Sequence, residues 1–322
     1  MIEYRPFLNT DPPLISDIWN QQPAFRSQIS RMNPDLLEQH IFSKQYFDRL
    51  GMFLAIDNSG DHPKPLGFAH ASFSVTDQLD DLDRSVGIVC QLKTVQGVHQ
   101  QEVSAGLLNH ACQYLTARGA TVAHVGGHFP RSPFYLGLYG GSRIPGVMAT
   151  DRATLEGFMA AGFEPHDKIC VLERSLSGFR TTVNRNQMKL RREYVISTDA
   201  APMERSWWES CTLGGADRHR FSVASKTSPD ECGTVSYWDI EPMASQWGSP
   251  AKGLYDLSIL PELQRSGLAT FLVGESLRRL MENGAGLVEA QARQSDEASM
   301  GVFHKLGFEQ VAEGMLMRKS LA

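Results

Sequence analysis

Residues 264–269 read Gln264-Arg265-Ser266-Gly267-Leu268-Ala269, after the run Leu254–Leu260 and Pro261 and before an amphipathic stretch. A strand-to-helix turn of this kind suits a phosphate. A helix start carries free backbone N–H groups and the positive end of the helix dipole, and both attract anions. Gly267 lets the backbone approach closely, and Arg265 adds a fixed positive charge. The amides of Ser266, Gly267, Leu268, Ala269 and Thr270 could point into one concavity. A plain connecting turn is the competing reading. Glu289 is the second residue with chemical promise, because it follows Leu287 and Val288 in what reads as a buried strand. A buried carboxylate needs a reason, either proton transfer or a structural salt bridge.

The elements that would hold these residues belong to a chain long enough for two domains, with 322 residues, 42% hydrophobic and 21% charged. A net charge of -5 argues against nucleic acid as the main partner. No apolar run reaches the roughly 18 residues of a membrane span, and the N-terminus lacks a signal-peptide pattern, so a cytoplasmic protein is expected. Cys90, Cys112, Cys170, Cys211 and Cys232 are scattered and odd in number, which points to reduced thiols with neither a disulfide framework nor a metal site.

The chain repeats itself. Asp151–Glu164 and Asp296–Glu309 both obey D-x-x-[TS]-x-x-x-F-x-x-x-G-F-E. Residues 171–176 then fall on 316–321, 116–125 on 281–290, and 87–95 on 252–260. The first copy is about twenty residues longer, through a Gly- and Pro-rich insertion between about 128 and 150. Two tandem domains follow, 1–177 and 190–322, joined by a polar, basic linker over 178–189. Each copy reads as a helix-prone start, a hairpin, a strand, a helix, a strand, a helix and a final strand. Asp151 and Asp296 stand at N-cap positions, with Gly162 and Gly307 at the C-caps.

At this point the second half resembles the GNAT superfamily of acetyl-CoA-dependent N-acyltransferases. The strand ending Leu257-Ser258-Ile259, the turn fitting [RQ]-x-x-G-x-[GA], and a closing helix ending FHKLGFE carry the likeness in that order. The tandem arrangement is similar to that of mycothiol-synthase-like proteins. The resemblance implies an α/β (α+β type) fold of two GNAT-like domains, each a mixed, mostly antiparallel sheet flanked by helices. It implies acetyl-CoA as co-substrate, its pyrophosphate on residues 264–270 and its pantetheine along Leu257, Ser258 and Ile259. There a backbone N–H would serve as a small oxyanion hole. Asp296 stands where the family commonly has an asparagine touching CoA, and N-capping alone would also explain it. Phe303 stands where the family often has a tyrosine that protonates the leaving thiolate, which phenylalanine cannot do. Candidate bases are Glu289 and Asp256 on the two central strands, with His304 beside Phe303 but about 100° round the helix.

The first half departs from the pattern at the turn. By the repeat, Glu102 takes the place of Gly267, an anion where a diphosphate would sit, so this copy is not expected to bind CoA normally. In the insertion, YLGLYGGSRIPGV has the glycines of a phosphate loop but no Gly-Lys-Ser/Thr. It could cover the second substrate cleft, mediate dimerisation, or pack between the domains. Of Trp207, Trp208, Tyr237, Trp238 and Trp247, most read as core, with one or two open to lining an acceptor pocket.

The expected activity is transfer of acetyl from acetyl-CoA to an amine by direct attack on the thioester, in the C-terminal domain. The acceptor would be a small-molecule amine or a protein amine, and a homodimer stays open. A non-catalytic acyl-CoA sensor or scaffold is the alternative, and a longer acyl donor a variant of the first reading.

Overall fold

The computed structural model describes residues 2–97, 99–126, 131, 134–181 and 183–321. In chain order the first half runs β1 (Ile2–Pro6), α1 (Pro12–Asn20), α2 (Pro34–Leu37), β2 (Met52–Asp57), β3 (Lys64–Val75), β4 (Leu82–Thr94), α3 (Gln100–Ala117), β5 (Val122–Val125), β6 (Val147–Met148), α4 (Arg152–Ala160) and β7 (Glu164–Ser175). The second continues with α5 (Arg185–Glu193), β8 (Tyr194–Asp199), α6 (Trp207–Leu213), β9 (Arg218–Ser225), β10 (Glu231–Asp239), α7 (Glu241–Trp247) and β11 (Ala251–Ile259). It ends with α8 (Leu268–Glu282), β12 (Leu287–Arg293), α9 (Glu297–Lys305) and β13 (Glu309–Ser320). The fold is of the mixed α+β type expected. Two features escaped the sequence pattern: each half has a leading strand, β1 or β8, and the stretch read as a linker contains the start of α5, whose first turn Asn184 caps through Gln187 N.

The helices of the repeat begin and end where their caps predict. Asp151 accepts from Thr154 N, and Asp296 from Ala298 N and Ser299 N. Gly162 and Gly307 end those helices with φ of +82° and +74°, which glycine adopts without a Cβ penalty.

All the strands join one sheet, in the order β1-β2-β3-β4-β5-β13-β7-β12-β11-β10-β9-β8, with β6 against β13. The closing strands are exchanged: β13 of the second half lies beside β5 of the first, and β7 of the first beside β12 of the second. These two strands also pair with each other, antiparallel. The sheet therefore runs unbroken through both halves, and the sequence division at 177–190 does not separate it.

In each half two parallel strands pair over a short register. β11 and β12 are in register only from Ala251↔Leu287 to Gly253↔Glu289, and β4 and β5 from Val86↔Val122 to Val89↔Val125. A register shift within the β10–β11 pairing, between Ser236↔Tyr255 and Thr234↔Ser258, with Asp256 in left-handed backbone at φ +56°, helps turn β11 away from β12.

Three apolar cores hold this frame. One lies between α3, α4 and strands of the first half, and a second between α8, α9 and strands of the second. The third joins the halves, bringing α1 and residues of the insertion onto Trp208, Trp238, Ile240, Met243 and Tyr255. Phe134, Tyr135, Leu138, Tyr139 and Ile144 are all buried in it. Each such side chain contributes roughly 1.5–3 kcal/mol on burial. The described part of the insertion is thus a packed joint between the halves.

Candidate functional site

A cleft of about 670 Å³ opens where β11 ends and α8 and α9 begin. Leu257, Ile259, Gln264, Arg265, Gly267, Leu268, Ala269, Thr270 and Asp296 line it. Ser258 and Ser266 lie outside the lining, because alternate residues of a strand face opposite ways and the Ser266 hydroxyl turns back to donate to Leu263 O. Phe303 is also outside: it is buried beneath α9 against Phe308, with ring centroids 5.1 Å apart.

The turn is built to stay open. Gln264 Nε2 donates to Ile259 O, and Asn186 of α5 donates to Ser266 O at 2.9 Å. Arg265 and Gly267 both adopt left-handed backbone, at φ +60° and +90°. The φ of Gly267 is one that L side chains rarely adopt, and a Cβ there would also displace the end of the Asn186 side chain, 2.6 Å away. Helix α8 starts without a side-chain cap and without an acid in its first turn. Leu268 N donates to Ser266 Oγ at 3.3 Å, and the following amides of the first turn open on the cleft beside Arg265, with Asp296 and Glu297 on its α9 side. The sequence reading missed Glu297, Ser299, Gly301, Val302 and Lys305, which also line the cleft from α9. Their helical spacing after the Asp296 cap was the available signal.

The catalytic candidates do not converge on this cleft. His304 is exposed, while its neighbour Lys305 faces in. Glu289 is fully buried, and its Oε2 accepts from Ser142 N of the insertion. Gly141, at φ +86°, passes so close that a Cβ would collide with this carboxylate. Burial pushes the Glu289 carboxyl up to about 8, opposed by the Ser142 N–H and the nearby Gln291 amide. The two sequence readings of this acid, proton transfer or a structural salt bridge, did not include an anchor for the insertion. Gln291 fixes the same segment by donating to the carbonyls of Gly140 and Arg143. Asp256 keeps part of its surface exposed and is ion-paired to Arg205 at 2.5 Å. Arg143 lies near enough to Asp256 and Glu289 for both to stabilise its charge, against the cost of its burial.

In the first half the corresponding space is plugged. The repeat lays Lys93 over Ser258 and Asp151 over Asp296. Lys93 is buried and reaches across to Asp151 at 3.0 Å and Gln28 at 2.9 Å, with its ammonium 4.9 Å from the Tyr139 ring centroid. Burial pulls the Lys93 ammonium below its ordinary value, and Asp151 opposes that shift. Glu102 at the turn pairs with His99 at 3.0 Å. Trp208, Trp238 and Tyr237 are core residues. Trp207 packs partly buried on the joint, as does Trp247, which also lines a separate surface cleft with Arg26. All five cysteines are unpaired. Among the described residues, no group of three or more His, Cys, Asp or Glu could hold a metal ion, and no helix is long and apolar enough to cross a membrane.

No curated protein matches the chain by sequence. Residues 241–316 match the family described as FR47-like protein. Among solved structures, the chain resembles the GCN5-related glucosamine N-acetyltransferase region of a fungal multi-domain GH3 beta-N-acetylglucosaminidase, with a TM-score of 0.71 and 12% identity. That match covers 99% of this chain but only 38% of the fungal one. A GCN5-related N-acetyltransferase from Sphaerobacter thermophilus matches at a TM-score of 0.66 and 11% identity, over 99% of this chain and 96% of its own. A tandem GNAT protein from the clavulanic acid biosynthesis pathway matches at 0.61 and 12%, over 100% and 99%. The fold is therefore similar to the one these structures share. Within it, the second half is the one that carries the FR47-like match.

Proposed function

We propose that this chain is an acyltransferase that binds acetyl-CoA in the cleft of its second half and transfers the acetyl group to an amine. The observation that carries the reading is the uncapped N-terminus of α8 opening, with Arg265, into that cleft. The diphosphate would lie on the amides of residues 267–270, and the pantetheine would pass Leu257 and Ile259. Acetyl-CoA, when bound, would supply the thioester carbon that the amine attacks, forming the C–N bond as the C–S bond breaks. Asp256 is the acid-base candidate that keeps solvent access beside the strand divergence, and Arg205 fixes its orientation. With Phe303 in the core, the thiolate would take its proton from solvent. The plugged first half would shape the acceptor side and stabilise the pair.

A second reading, acyl-CoA binding without transfer, is favoured by one observation: Ser142 occupies the Glu289 carboxylate. Calorimetric titration with acetyl-CoA tests the first reading, using Ala269→Glu as the variant. A glutamate in the first turn of α8 suits its dipole, so folding is retained while an anion enters the cleft. One site per chain, lost in Ala269→Glu, supports the cleft. Absence of binding at high micromolar acetyl-CoA would sink it, and binding without turnover across a panel of amines would select the second reading.

A further inference from the structure

The chain as a whole is acidic, with a net charge of -5. One cleft of about 400 Å³ contradicts that balance. It is lined by His124 of β5, His166 of β7, Arg293 at the end of β12, Arg318 of β13, and Arg131. The exchange of β7 and β13 brings these residues together, because β13 lies between β5 and β7 and sets Arg318 opposite His124. No stretch of sequence contains them.

The geometry concentrates donors. Arg131 Nη1 donates to His124 Nε2 at 3.2 Å, which fixes that nitrogen as an acceptor. The His124 and His166 rings stand edge to face with centroids 6.0 Å apart. Two carboxylates are near. Asp167 is 3.4 Å from Arg293, and Glu164 is the register partner of Arg318 on β7. Arg131 and Arg318 form no ion pair among the described residues. Such crowding of like charge is costly. Burial and then Arg131, His166 and Arg318 pull the His124 imidazole down to about 4. Burial and then Arg318 lower His166, with Arg293 and Arg131 adding to this and Asp167 opposing it. A dianion in the cleft would relieve this repulsion and accept from the guanidinium forks, which match phosphate oxygens in pairs.

We propose that this cleft binds the phosphate group of a small phosphorylated ligand, with Arg318 and Arg131 as the principal donors and His124 and His166 as further ones. The site is separate from the acyl-CoA reading, since none of these residues lines the cleft at α8. His124 stays neutral while its Nε2 accepts from Arg131, but a bound dianion favours a charged His166, so binding takes up a proton there and weakens as pH rises.

Sulfate is the probe, because its charge stays constant between pH 6 and 8. Titration calorimetry and thermal melts are run on the full chain in sulfate against chloride at equal ionic strength, with Arg318→Gln, Arg131→Gln, Arg265→Gln and the exposed Arg192→Gln. Circular dichroism checks that each variant is folded. The expected result is sulfate-specific stabilisation that is several-fold tighter at pH 6 than at pH 8. Affinity should fall about tenfold or more in Arg318→Gln and in Arg131→Gln, and be kept in Arg192→Gln and Arg265→Gln. Inorganic phosphate should compete for the site. The proposal is overturned if sulfate acts no better than chloride. It is equally overturned if binding survives both Arg318→Gln and Arg131→Gln, or is lost only in Arg265→Gln, which would place the anion at the α8 turn.

Discussion

Replacing Glu289 by glutamine should remove one component of the pH dependence of stability, the fall between about pH 4.5 and 8. The buried carboxyl is raised from an ordinary 4.5 to about 8, chiefly by desolvation. Between those pH values the folded chain holds a proton that the unfolded chain has released. Stability therefore falls as pH rises, by up to about 1.4 kcal/mol per pH unit, and levels off above about 8. Over the whole window this amounts to on the order of 5 kcal/mol, a large share of the roughly 5–15 kcal/mol of a typical domain. Glutamine can still accept from Ser142 N, but its amide nitrogen would replace Oε1, which has no hydrogen-bond partner in the structure. A buried NH₂ left without an acceptor costs about 1–3 kcal/mol. Glu289→Gln should then be less stable than the parent by up to about 2 kcal/mol at pH 5 and more stable by roughly 1–3 kcal/mol at pH 8. Urea unfolding of both proteins at pH 5, 6, 7 and 8 reads the difference. His40 and His70, pulled down by burial to about 4 and about 3, add stability as pH rises toward 6.5, with the opposite sign. They are common to both proteins and cancel in the difference. Parallel profiles for parent and variant would refute the titration assigned to Glu289.

Three further outcomes follow from the same geometry. Lys93→Met strands buried Asp151 and should cost about 3–5 kcal/mol in urea unfolding, much of it recovered by adding Asp151→Asn; equal losses in the single and double variants would oppose this. Gly141→Ala forces a Cβ at φ +86° onto Glu289 and should lower the melting temperature far more than Gly178→Ala, at φ +66° with nothing within 4 Å. Asn186→Ala removes the bond to Ser266 O at an exposed site, so stability should fall by no more than about 1 kcal/mol. Calorimetry should nevertheless show acetyl-CoA bound several-fold more weakly, as the turn loosens.

Much of the second-half cleft was legible because its parts are local. The turn at 264–267, the start of α8 and the Asp296 cap all lie within about forty residues, and each follows from backbone rules that act over one helical turn. Side-chain direction was harder. Ser258 and Phe303 were placed by position in a motif, yet strand alternation turns Ser258 outward and helix phase sends Phe303 into the core while Lys305 faces the cleft. Glu289 was recognised as a buried acid, but its partner comes from Ser142, 147 residues earlier, and no local pattern announces a bond to a backbone N–H.

The sequence by itself determined the repeat, the elements of each half and the caps that bound them, since hydrophobic period and capping chemistry are properties of short segments. Tertiary structure alone decided which half each closing strand completes. β7 and β13 have similar lengths and sequences, so either could pair beside β5 or β12 as far as local pattern goes. The choice is made by packing: the exchange sets the two strands side by side at the centre of one sheet, leaves no free edge there, and lets the insertion fill the joint between the halves. It also assembles the cationic cleft and the Glu289–Ser142 contact, whose residues meet only after the whole chain has folded.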